Sequence, residues 1–102
     1  MTLDEALPTS ACRLLKVDVE GGELDVIRGA QRLLSEQRAD AVLIELNPWA
    51  LGRAGTSLEE LVDALIRRGY VGRSLDPDGG QLGPLRVPDE RTQFVNAIFV
   101  PV

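Results

Sequence analysis

The sequence contains no histidine, and only one cysteine, one tryptophan and one tyrosine. Without an imidazole there can be no Ser-His-Asp or Cys-His nucleophile, no histidine acid/base chemistry and no His-ligated zinc. Cys12 has no cysteine partner, so an intrachain disulfide and a multi-cysteine metal set are both excluded; no metal is expected, and the thiol reads as a small buried group near a strand start. Basic residues are also in short supply: 11 Lys and Arg stand against 16 Asp and Glu, for a net charge of -5. No basic cluster stands apart from acids, so neither nucleic acid nor an anionic membrane surface is an expected partner. A cleavable leader pattern and an apolar run long enough to cross a bilayer are likewise lacking, and the expected location is cytoplasmic. Chemistry here must rest on carboxylates, hydroxyls, amides or a borrowed cofactor.

What is present suits one compact domain over residues 1–102. Arg13 to Val19, RLLKVDV, is a short apolar run without strict alternation, which predicts a strand covered on both faces. Beyond Gly21 and Gly22, residues Leu24, Val26, Ile27, Ala30, Leu33 and Leu34 recur at helical spacing. They predict one amphipathic helix with Glu23 in its first turn, where the dipole favours an acid. Ala41 to Leu46 predicts a second buried strand ending at Asn47-Pro48. Thr56 and Ser57 each precede a glutamate by three residues, Glu59 and Glu60, as in a capping box; Arg67, Arg68 and Gly69 close that helix. Tyr70 to Leu75 predicts a short strand and Phe94 to Val100 a final one. The stretch Leu75 to Glu90, rich in Gly, Pro and Asp, predicts a surface connection of hairpin type. The resulting order, strand-helix-strand-helix-strand-strand, implies an α/β sheet, mainly parallel, with an antiparallel last strand.

Ligands of open α/β sheets bind beyond the carboxyl ends of the strands. Asp18 and Glu20 lie at that end of the first strand and Glu45 near that end of the second. Three carboxylates can therefore face one crevice, joined by the amides of Gly21 and Gly22, to accept hydrogen bonds, bind a divalent cation or act as a general base. The same pattern admits a plainer reading, in which Glu20 or Glu23 caps the helix and loop amides satisfy Asp18 and Glu45. The glycines match neither the dinucleotide nor the Walker spacing. Trp49 suits either a pocket wall or a cover for the core rim. Asn96 is either a pocket-facing amide or an exposed position on one sheet face. Arg28, Arg32 and Arg38 read as a solvated helix face.

Four segments, TLDEAL, LLKVDVEGGELDVIRGAQRLL, VLIELNP and NAIFVP, together resemble the C-terminal half of the FkbM family of S-adenosylmethionine-dependent methyltransferases. The resemblance spans Thr2 to Pro101 and is weakest between Gly72 and Thr92. It implies part of a class I methyltransferase (Rossmann-like) sheet, with Arg13 to Val19 as strand four, Ala41 to Leu46 as strand five and the last two strands as six and seven. It implies O-methylation of a small-molecule or sugar hydroxyl. Asp18 would then be catalytic and close to the methyl donor, Glu20 catalytic beside it, and Glu45, Asn47 and Trp49 would contact the acceptor. The strands that hold most of the donor in this family have no counterpart in the sequence, so these residues alone are expected to be inactive. Loss of that flank makes the first strand an edge, and a homodimer through Leu14 to Val19 would cover it. The alternative is a non-catalytic α/β module for dimerisation or partner binding.

Overall fold

The computed structural model describes residues 1–75, 81–86, 88 and 94–102. It shows a mixed α/β unit in which a five-stranded sheet, ordered β1-β2-β5-β3-β4, carries helices on one side. The strands are β1 (Cys12–Val17), β2 (Ala39–Leu46), β3 (Tyr70–Leu75), β4 (Leu82–Pro84) and β5 (Val95–Pro101). The helices are α1 (Leu3–Ala6), α2 (Glu23–Arg28), α3 (Gln31–Ser35), α4 (Pro48–Arg53) and α5 (Leu58–Arg67).

Strand alternation decides which residues build the core. On β2, Val42, Ile44 and Leu46 are buried while Ala41, Leu43 and Glu45 between them stay half-exposed. On β5, Ala97 and Phe99 are buried, whereas Asn96 is exposed and Ile98 half-exposed. The buried set joins Leu24, Ile27, Leu33, Leu61 and Leu65 of the helices in one cluster, so the core lies between the helices and one face of the sheet. On the opposite face the described strand residues are exposed or half-exposed, apart from Ala39 at the start of β2, which is fully buried.

Several expectations are corrected by this arrangement. The first strand is not covered on both faces: β1 is the sheet edge, Arg13 and Lys16 are exposed, and Leu14 keeps 55% of its surface in solvent. The second strand has one face half-open. The sheet is not mainly parallel, because β1 and β2 form a parallel ladder while β2–β5, β5–β3 and β3–β4 are all antiparallel. Placing β5 between β2 and β3, against the direction of both, produces this without any helix between β3 and β5 in the described chain. The expected single helix after Gly22 is two, because at Ala30, with φ -116° and ψ 26°, the chain leaves helical geometry before resuming at Gln31. The order also gains α1 before β1 and α4 after β2, where Asn47 caps the helix through Ala50 N at 3.1 Å and Pro48 takes the first position. Proline there starts a helix rather than ending all structure.

The α5 expectations hold for the Ser57 cap and the Gly69 stop. Ser57 Oγ accepts the Glu60 amide at 3.2 Å, and Gly69 follows the helix end with φ 88°. Thr56 instead turns its hydroxyl to Leu51 O at 3.1 Å. Arg38 is not part of a solvated helix face. It follows α3, its side chain is 13% exposed, and it donates to Leu7 O and Ser10 O at 2.8 and 2.6 Å, tying the chain before β1 to the sheet. Arg28 does stay outside and pairs with Glu60 at 3.7 Å. Cys12 is half-exposed rather than buried. Of the Leu75–Glu90 connection, Leu82–Pro84 pair with β3 as a hairpin partner; Asp76–Gly80, Val87 and Asp89–Glu90 lie outside the described residues, as do residues 91–93. Among the described residues, no helix is long and apolar enough to cross a membrane.

Candidate functional site

Immediately after β1 the chain turns through Asp18 to Gly22 into α2, and a single side chain organises that turn. Glu23 is 3% exposed, and its carboxylate accepts the Val19 amide at 3.1 Å and the Gly21 amide at 2.8 Å. The Gly22 amide donates to Val19 O at 3.2 Å. Glu20 adopts φ 41°, the left-handed region that a side chain ordinarily avoids, and Gly21 follows at φ 102°. Gly21 also packs against the Ala50 carbonyl at the start of α4, so closely that a Cβ there would collide with the oxygen. The turn is thus fixed from both sides, by Glu23 beneath it and by α4 against it.

The second side of the site comes from β2. Glu45 lies in direct register with Asn96 of β5 and accepts a weak 3.5 Å hydrogen bond from Asn47 Nδ2. On the open sheet face, at the carboxyl ends of β1 and β2, a cavity of about 180 Å³ is lined by Lys16, Val17, Asp18, Leu43, Glu45, Leu75 and Asn96. Asp18 and Glu45 are therefore brought together, as their strand-end positions predict. Asn96 is both of the things the sequence left open, an exposed position on the sheet face and an amide lining the cavity.

The other candidates are placed differently. Glu20 is exposed and does not line the cavity, so the expected group of three carboxylates is a pair. The reason is local: at φ 41° the backbone leaves the strand direction that would have kept Glu20 in line with Asp18. Nor do the Gly21 and Gly22 amides link the acids, since Glu23 and Val19 O already hold them. Asn47 stands behind Glu45 and uses its carbonyl to cap α4. Trp49 is 74% exposed and borders a separate shallow hollow with Pro48, Gly52 and Arg53. A larger hollow of about 930 Å³ runs along α5 past Leu58, Val62 and Ile66 to Leu85. It contains none of the candidate acids, so the smaller cavity, where Asp18 and Glu45 converge, is the candidate site. Two contributors escape the sequence pattern, Lys16 and Glu23. Alternation alone puts Lys16 on the face of Asp18, and Glu23 reads in sequence only as a helix-start acid. Among the described residues, no group of three His, Cys, Asp or Glu side chains is arranged to hold a metal ion.

Neither a curated protein nor a solved structure matches the chain. A family model does match: that of the methyltransferase FkbM domain aligns with residues 1–71, well over half of the chain, and the chain accordingly belongs to the FkbM methyltransferase family.

Proposed function

We propose that the crevice at the ends of β1 and β2 is the acceptor side of an S-adenosylmethionine-dependent O-methyltransferase site acting on a small-molecule or sugar hydroxyl. The observation that carries this reading is the convergence of Asp18 and Glu45, with Lys16 and Asn96, at the strand ends where open α/β sheets bind ligands. Strand neighbours support it too. With β1, β2, β3 and β5 taken as strands four, five, six and seven, strand seven lies between five and six, as in the class I sheet, and β4 is an addition. On this reading residues 1–102 are the C-terminal half of the domain and work in the cytoplasm.

The residues do not by themselves fit the whole methyl donor. A cavity of about 180 Å³ falls short of the roughly 300–1,000 Å³ of sites that enclose ligands of that size. What this chain supplies is a carboxylate wall. Asp18 accepts a hydrogen bond from the acceptor hydroxyl, fixes the direction of its lone pair and takes its proton as the oxygen becomes nucleophilic. Glu45, steadied by Asn47, and the Asn96 amide bind neighbouring polar groups of the acceptor. Trp49, exposed on α4, is a stacking surface for a larger acceptor, whereas Glu20 has a weaker case because it faces away from the cavity.

The second reading, a non-catalytic module that pairs with another chain, rests on the uncovered β1 edge and on exposed Leu14. Calorimetric titration of the purified chain with S-adenosylmethionine separates the two. Donor binding that Asp18→Ala weakens by about tenfold, the order of one hydrogen bond to a charged group, supports the enzyme reading. A folded, self-standing dimer that ignores the donor supports the module.

A further inference from the structure

Within the methyltransferase reading, on which this inference rests, the least expected feature is a buried acid that does not line the cavity. Glu23 is 3% exposed, and both of its oxygens are used by main-chain amides, those of Val19 and Gly21. These two amides bracket Glu20, the residue held at φ 41°. A left-handed backbone at a residue with a side chain is strained, and strain of this kind persists only where the surroundings impose it. Here the imposing group is the Glu23 carboxylate, whose two charge-assisted hydrogen bonds are of the strong class. Gly21 allows the bend and Ala50 closes it from above. Asp18 is one residue before the first clamped amide, at the wall of the cavity shared with Glu45 and Asn96.

We propose that Glu23 is a positioning residue: it locks the Asp18–Gly21 turn in its left-handed form and thereby presents the Asp18 carboxylate to the crevice. Glutamine at this position would offer one oxygen and one NH2, so one of the two amides would lose its acceptor. Aspartate would keep the charge but fall short of spanning both.

NMR on the full chain tests this, with Glu23→Gln and Glu23→Asp as alternatives should one fail to fold. Tyr70→Phe, far from the crevice, serves as a control for general destabilisation. In the wild type, Glu20 should show the strong intraresidue HN–Hα NOE of a left-handed residue. In either Glu23 variant, amide exchange at one or both of Val19 and Gly21 should rise by about tenfold relative to Ile44 in the core, the loss expected of one charge-assisted hydrogen bond. The Asn96 side-chain amide resonances should shift, and any S-adenosylmethionine affinity should fall by a similar factor. Tyr70→Phe should change all amides together and leave Asn96 and donor affinity as they were. Exchange at the turn that changes only in step with Ile44, an unmoved Asn96, or donor affinity untouched when the clamp is broken would each overturn the proposal. A wild-type chain that binds no donor and stands as a dimer would count against the methyltransferase reading alone, since exchange and the Asn96 resonances still decide the role of Glu23.

Discussion

Single residues carry the site, and the sequence shows some of them better than others. Asp18 and Glu45 were readable because a strand end fixes where a side chain can point, and a carboxylate that closes an apolar run must reach solvent or a partner. Glu20 was not readable, because its direction depends on a φ of 41° that only the Glu23 hydrogen bonds explain. Gly21 is the residue that makes the bend possible, and Gly21→Ala should destabilise the fold by about 1–3 kcal/mol, the range for a side chain forced into a disfavoured region. The Ala50 carbonyl contact adds to that effect. A urea midpoint lowered with unchanged slope would establish it; an unchanged midpoint would mean that the turn is not fixed as described. Tyr70 provides a test remote from the site. Its hydroxyl donates to Ala39 O at 2.5 Å, and burial raises its phenol above the ordinary 10.0. A raised value means that the folded chain holds the proton longer than the unfolded chain does. That contribution is complete below pH 10.0 and is lost as pH climbs through the folded value. Tyr70→Phe should therefore flatten the alkaline decline of stability, measured by denaturant titration across that range.

At the scale of elements, local signals worked where the determinant is local. The helix expected after Ser57 is α5, with its Ser57 cap and Gly69 stop, and all of the information sits within its own residues. Ser57→Ala should cost about 1 kcal/mol, as for other serine caps, read from the shift in the urea transition. The break between α2 and α3 was invisible because its compensation comes from far away. Ala30 cannot cap α3, and Asp4 does so instead: its carboxylate accepts the Arg32 and Leu33 amides at 3.0 and 2.9 Å across 28 and 29 residues of sequence. No pattern within a helical window contains such a cap. Burial by itself would raise the Asp4 carboxyl, but the two amide hydrogen bonds, with the charges of Arg32 and Arg38, outweigh it and hold the group below its ordinary 3.8. A lowered value stabilises the fold above the unfolded pKa and ceases to do so as pH falls through the folded one. Asp4→Asn should thus be less stable than the wild type at neutral pH, with the difference closing below pH 3.8. Parallel stability curves across that range would show that the charge plays no part.

Among the described residues, the sheet has one face covered by helices and one without cover. Apolar periodicity reported α5 and the apolar stripe that α2 and α3 share, but the runs RLLKVDV and AVLIEL read as doubly covered strands when only one side meets the core. Continuous apolar composition states that a strand expects cover on both faces; it does not state which chain provides the second cover. Half-exposed Leu43, Ile98 and Val100 near the centre of the open face, and exposed Leu14 and Val71 toward its sides, make the same point in three dimensions. An antiparallel sheet face that met only water would alternate to polar residues there. Leu14 matters most, because it belongs both to the open face and to the unpaired β1 edge, with 55% of its surface in solvent. Edge strands that remain solitary carry charges that oppose pairing, and Arg13 and Lys16 already flank Leu14. Leu14→Lys would complete that barrier at the exposed one of the two leucines between them. The wild-type chain should therefore self-associate in sedimentation velocity runs as its concentration is raised, and Leu14→Lys should stay monomeric over the same range. Because Leu14 is largely exposed, thermal stability measured in dilute solution should hardly change. Equal sedimentation of the two chains as monomers would mean that Arg13 and Lys16 already suffice to keep this edge single, and that the bare face alone does not draw two copies together.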